Sequence, residues 1–177
     1  MSLKLILGDI QRALTAGAPY AALAATVTLP EICGRCELDD PFSTKGPNRS
    51  EALFSRFVTT YLPNWPFDIS GEDLFHLRNA ISHKGGTTQR NNPLRYVFHP
   101  PSGQFQMSNN KFIQKGQLRY LDIDLQEFCT EISNAVLRWE EANRGNEQVQ
   151  RNLDKVLQVR EGSFGLPYEV EGLVHIA

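Results

Sequence analysis

The run from Asp124 to about Asn143 constrains the fold most. Leu125, Phe128, Ile132, Val136 and Trp139 recur there every three or four residues, the period that lines up side chains on one face of an α-helix. Asp124 is a residue type that caps helix starts, and Gly145 interrupts the pattern only lightly. A helix with such a stripe has to bury it, so other helices must pack on it. The same periodicity supplies them. Leu3 to Ala16 carries Leu3, Ile6, Ile10, Ala13 and Leu14 near helical spacing. A second helix opens at Ala18 or Pro19 and runs to about Leu38, kinked or broken before Pro30. A polar Pro/Gly loop, Asp39 to Asn48, leads to a third from Arg49 to Leu62, with Leu53, Phe54, Phe57, Val58 and Tyr61 on one face. Glu147 to Arg160 is expected to be helical as well, on a stripe of Val149, Leu153, Val156 and Leu157.

Between residues 90 and 123 the texture changes. Leu94 to His99 and Gln104 to Ser108 are short alternating runs around Pro100-Pro101-Ser102-Gly103, a turn signal, and Gln117 to Ile123 alternates again. These segments predict a small antiparallel β insertion at about 90–123. Residues 162–177 read as an extended tail with no clear role.

At 177 residues the chain is sized for one domain with a real core. Hydrophobic residues at 41% and charged residues at 21% are ordinary for a globular protein, and the net charge of −2 comes without a basic tail. The charge balance argues against nucleic-acid binding by bulk electrostatics but leaves room for a local cleft. Ala13 to Leu29 is weakly apolar, yet contains Gly17 and Pro19 and follows Asp9. It reads as buried helix rather than leader or membrane span. Three cysteines, without a dense framework, fit a reducing cytoplasm.

The chemistry concentrates in Asp73-Leu74-Phe75-His76-Leu77-Arg78-Asn79-Ala80-Ile81-Ser82-His83-Lys84-Gly85-Gly86. Ser70 and Asp73 suit a helix start, Leu74, Leu77 and Ile81 give an apolar stripe, and Gly85 suits a helix stop. His83 falls in the last turn, where the carbonyl ends favour an imidazolium. An arginine and a histidine held together can bind a phosphate and move a proton near neutral pH.

Arg78, Asn79 and His83 resemble the R-x4-6-H motif of the HEPN superfamily, helical domains that include RNA-cleaving toxins and defence nucleases. A second resemblance widens the match. Ala24-Ala25-Thr26-Val27-Thr28-Leu29-Pro30-Glu31-Ile32-Cys33-Gly34, followed later by Asp73-Leu74-Phe75-His76-Leu77-Arg78-Asn79-Ala80, is similar to a group of uncharacterised bacterial HEPN-like proteins. Together they imply a mainly α fold, an HEPN-like helical bundle with the small β insertion. They imply a metal-independent endoribonuclease that leaves 2′,3′-cyclic phosphate, with no cofactor and no metal. RNA would be the substrate and a homodimer the working unit. A toxin or antiphage role follows by analogy, with an antitoxin or nucleotidyltransferase-type partner.

On the nuclease reading, helix geometry requires the dimer that the resemblance implies. Five residues advance a helix by about 500°, so Arg78 and His83 point about 140° apart, whereas Asn79 and His83 share a face. A two-fold partner brings a second set of the same residues across the axis. Carried over from the family, His83 is the expected acid or base, Arg78 the expected stabiliser of phosphate charge, and Asn79 the residue that orients the histidine or the scissile phosphate. Lys84, Arg90 and Arg95 are candidate substrate contacts, against the alternative of a solvated loop. His76 could assist, against the alternative of a packed, hydrogen-bonded histidine.

Other constellations read as structural. Cys33-Gly34-Arg35-Cys36 sits towards a helix end, the wrong end for a redox thiolate, and lacks a second zinc pair; buried reduced thiols are expected. His99 and His175 show no partner in the sequence, and Trp65, Phe67 and Trp139 read as core. Two further readings stand beside the nuclease. One is a non-catalytic HEPN module for dimerisation or for a nucleotide or protein partner. The other is a plain core helix in which Arg78 and His83 satisfy backbone groups.

Overall fold

Glycine and proline punctuate the first half of the chain into short helices. The computed structural model describes residues 3–46, 49–87, 94–99, 111–156, 159–161 and 174–176. Helix α1 spans Lys4–Thr15, α2 Pro19–Thr26, α3 Leu29–Cys36, α4 Ser50–Tyr61 and α5 Gly71–Lys84. The expected break before Pro30 is present at Val27 and Thr28. Pro30 then lies in the first turn of α3, where a missing N–H costs nothing. A sheet segment follows: β1 Leu94–His99, β2 Lys111–Lys115 and β3 Leu118–Asp124. Helices α6, Leu125–Ala142, and α7, Glu147–Val156, complete the bundle, followed by β4 Val159–Glu161 and β5 Val174–Ile176.

Helix α6 is the spine. Asp124 ends β3 and caps α6 in one step, its carboxylate accepting from the Glu127 N–H at 2.8 Å. Phe128, Ile132, Ala135, Val136 and Trp139 are buried along its inner face, as the periodicity predicts. Trp65 and Phe67 from the α4–α5 connector and Phe98 from β1 surround Phe128, with ring centroids 5.1–5.8 Å apart. Trp65, Phe67 and Trp139 are therefore packing residues, as read from the sequence.

The sheet departs from the expected antiparallel arrangement. It has the order β1-β3-β2, with β1 parallel to β3 and β2 antiparallel to it, so it is mixed. The tight turn lies at Gly116 and Gln117, joining β2 to β3 with Gly116 at φ 64°. A two-residue hairpin demands such a positive φ. The Pro100–Gly103 turn and the Gln104–Ser108 run lie outside the described residues. Alternation reports which face is buried; it carries no information on strand direction. Here Tyr96, Leu121 and Ile123 face the core and dock the sheet on α6.

The last helix is also shorter than its stripe suggests. Helix α7 ends at Val156, and Val159 and Arg160, expected to be helical, belong to β4. That strand pairs antiparallel with β5, Val159 opposite Ile176. Part of the expected tail is thus a strand, favoured by its β-branched residues. Within α7, Val149 and Leu153 are buried. Asn152, also buried, donates to the Cys36 and Leu38 carbonyls at 3.1 and 2.7 Å, satisfying acceptors left open at the end of α3. Among the described residues, no helix is long and apolar enough to cross a membrane.

Candidate functional site

Helix α5 is held at both ends by local chemistry. The Ser70 hydroxyl accepts from the Asp73 N–H at 3.0 Å while the Asp73 carboxylate takes the Ser70 N–H at 3.1 Å, a reciprocal capping box. Gly85 stops the helix at φ 64°. At the start, a Cβ on Gly71 would lie 2.4 Å from the Ser55 Cα, so only glycine lets α5 approach α4 this closely. Leu74, Leu77, Ala80 and Ile81 are buried. On β1, the buried Tyr96 packs near the start of α5. Burial, with the carboxylates of Asp73 and Asp68, pushes its phenol well above the ordinary value.

The polar residues of α5 divide into two sets. Glu72, His76, Asn79 and His83 follow one another at spacings of four, three and four, which gives a single stripe. His83 is exposed in the last turn. Among the described residues its imidazole has no hydrogen-bond or ion-pair partner. The His76 ring rests beside Phe75, centroids 5.2 Å apart, with its Nε2 3.6 Å from the Glu72 carboxylate. It is therefore a half-exposed member of the stripe rather than a core histidine.

Arg78 lies off that stripe and points to α3. Its Nη1 donates to the Asn79 Oδ1 at 2.8 Å and its Nη2 donates to the Glu31 carboxylate. The Arg78 side chain is 24% exposed and that of Glu31 12%. Glu31 also accepts from the Ser50 hydroxyl at 2.5 Å and from Arg35 at 3.1 Å. Arg35 donates further to Ser50 Oγ at 3.0 Å and to the Ser43 carbonyl. Two guanidinium groups thus share one carboxylate, which leaves the cluster one positive charge in excess. The Arg78 Nε is buried with no hydrogen-bond partner among the described residues. The exposed quarter of the Arg78 side chain keeps part of this charge within reach of an anion.

Of the other expected contacts, Arg95 lies on β1 opposite Tyr120 of β3. Lys84 is the last residue of α5, and Arg90 lies outside the described residues.

Glu31, Arg35 and Ser50 were not singled out from the sequence. Glu31 and Arg35 stand four apart on α3, a spacing that signals an ion pair. Its connection to Arg78 spans 47 positions and leaves no local trace. The His99–Asp122 contact was missed as well: the His99 Nε2 bonds the Asp122 carboxylate, which is only 5% exposed. Asp122 pairs in register with Val97, so the contact is a diagonal one across the strands.

The cysteines are free and buried. Burial, chiefly, pushes the Cys33 thiol well above its ordinary value, with the neighbouring Cys36, Glu37 and Glu140 adding to it. Burial, with Glu37, pushes Cys36 up to about 12, and burial pushes Cys129 to about 11. Thiols held protonated in this way match the reading of Cys33 and Cys36 as buried, reduced residues. Among the described residues, no three His, Cys, Asp or Glu side chains gather as a metal site.

No protein-family model matches the chain, and searches of curated proteins and of solved structures find no significant match either.

Proposed function

We propose that this chain is an HEPN-type, metal-independent endoribonuclease that works as a symmetric dimer. The observation that carries the reading is the division of labour on α5. Arg78 is fixed by Glu31 and Asn79, while His83 stands exposed, and unpartnered among the described residues, on the stripe it shares with Asn79 and His76. Fixed positive charge and an accessible proton carrier are the two requirements of phosphodiester transfer. Since Arg78 and His83 leave the helix in different directions, two α5 helices across a two-fold axis supply a complete set.

In this mechanism the ribose 2′-OH attacks the adjacent phosphorus. The O2′–P bond forms and the P–O5′ bond breaks, giving a 2′,3′-cyclic phosphate and a 5′-OH. His83 of one protomer takes the 2′-OH proton, and His83 of the partner subunit protonates the departing O5′. Arg78 meets charge developing on the non-bridging oxygens, with Glu31 and Arg35 holding its guanidinium in place. Glu31 is a positioning residue. A toxin or defence role, an antitoxin or nucleotidyltransferase-type partner and a cytoplasmic setting belong to the same reading through the HEPN resemblance.

The Glu31–Arg78 ion pair also favours a second reading, a non-catalytic HEPN module, because it already occupies much of the arginine. The exposure of His83 counts against the plain core helix. The test is cleavage of a mixed-sequence RNA in excess EDTA by wild type, His83→Ala and Arg78→Ala. Cleavage to cyclic-phosphate ends, lost in both folded variants, is the expected result. No cleavage by a folded wild-type dimer turns the assignment to the binding module, and cleavage that survives both substitutions removes the site.

A further inference from the structure

The last turn of α5 carries a contact that its own backbone does not explain. The N–H groups of Gly85 and Gly86 both turn back to the Ala80 carbonyl. The next carbonyl, Ile81, is among those a helix end leaves open. It is taken by the hydroxyl of Tyr20, at 3.0 Å. Tyr20 comes from the first turn of α2, and its side chain is among the most exposed large apolar surfaces of the molecule, at 53%. An ordinary capping contact needs only the hydroxyl. Here a half-exposed aromatic ring is tethered at its tip two residues before His83, and Pro19 stiffens the backbone immediately ahead of it.

An aromatic ring fixed at its tip and half exposed has surface on which a base can stack. Every nucleobase has a π-face, so such a ring binds single-stranded RNA without demanding a sequence. Resting on the ribonuclease reading above, we propose that Tyr20 is the base-binding subsite of that two-protomer site. The base of a nucleotide next to the scissile phosphate stacks on its ring, and the Ile81 contact fixes the ring relative to His83. The ring supplies contact area at little rotamer cost, because the tether already restrains it.

The experiment uses the full chain in EDTA. A fluorescein-labelled 12-mer RNA is titrated against His83→Ala, which binds without cutting, and against the same protein carrying Tyr20→Phe, Tyr20→Leu or Tyr20→Ala. Thermal unfolding of each shows that it is folded. Stacking predicts that Tyr20→Leu and Tyr20→Ala weaken binding about tenfold or more, while Tyr20→Phe keeps most of it. It also predicts that a 12-mer with abasic sites loses the advantage of the tyrosine. Equal binding by the Tyr20→Leu variant and the protein with Tyr20 intact, or equal loss in Phe and Leu variants, overturns the proposal; the latter leaves Tyr20 a helix cap. If wild type cleaves RNA and Tyr20→Ala cleaves it with unchanged KM, the subsite falls and the nuclease stands. If wild type neither binds nor cleaves the 12-mer, both fall together.

Discussion

Helix α3 carries a glutamate near each end, and the two have different company. Glu37 accepts from the Trp139 indole N–H at 2.7 Å and from the Tyr61 hydroxyl at 3.3 Å, with Arg56 at 3.3 Å. Two of its three partners are neutral rings, Trp139 in the core and Tyr61 packed against it. Glu31 instead lies between two arginines, both side chains more than three-quarters shielded, and one of them belongs to α5. The first glutamate ties core aromatics together and needs no ligand to explain it. The second is shared between two guanidinium groups and leaves one positive charge over. The comparison separates a carboxylate that joins core aromatics from one that holds an arginine of the proposed site.

The largest expected effect is on the Glu37 side. Trp139→Ala removes the largest fully buried side chain among the described residues and a donor to Glu37, and should cost about 3–5 kcal/mol in denaturant unfolding. A much smaller loss would mean that this end of α3 is not a core junction. Next come the glutamates themselves. Glu31→Gln leaves two shielded guanidiniums without a counter-charge and should cost about 2 kcal/mol. Glu37→Gln keeps an oxygen for Trp139 and Tyr61 and gives up only a partly exposed ion pair, so about 1 kcal/mol is expected. The reverse order in urea melts would break the comparison.

The thiols give a pH signature. Their folded values lie above the ordinary thiol value near 9, so the unfolded chain releases these protons first. Stability is fully present below that value and falls as pH rises towards about 11–12, with the unfolded chain binding fewer protons throughout. Cys129→Ala should flatten part of that slope, read from unfolding curves at successive pH values. The smallest stability effect belongs to the site. His83→Ala should shift unfolding by less than about 0.5 kcal/mol, while cutting cleavage by about 10²–10⁴.

Helix α5 was legible to the residue because its signals are local. Ser70, Asp73 and Gly85 act within a few positions of one another, and the Leu74–Leu77–Ile81 stripe is one helix's own property. The same holds for Asp124 and α6. What escaped was long-range. The direction of β1 depends on how the chain returns to β3, which alternation does not encode. The end of α7 at Val156 reflects strand pairing with residues 174–176, which outweighs a helical period. In the site, Arg78 and His83 could be picked out, but their anchoring could not. Glu31 meets Arg78 only after α3 and α5 have both packed on α4, and Tyr20 reaches Ile81 across 61 positions.

The central claim is that the active unit is built by two protomers. It is tested most directly by mixing wild type with inactive, folded His83→Ala at varying ratios, allowing subunits to exchange, and measuring RNA cleavage in EDTA. A composite site predicts activity falling as the square of the wild-type fraction. A linear fall would mean that each protomer cuts alone, and no cleavage at any ratio would contradict the account altogether.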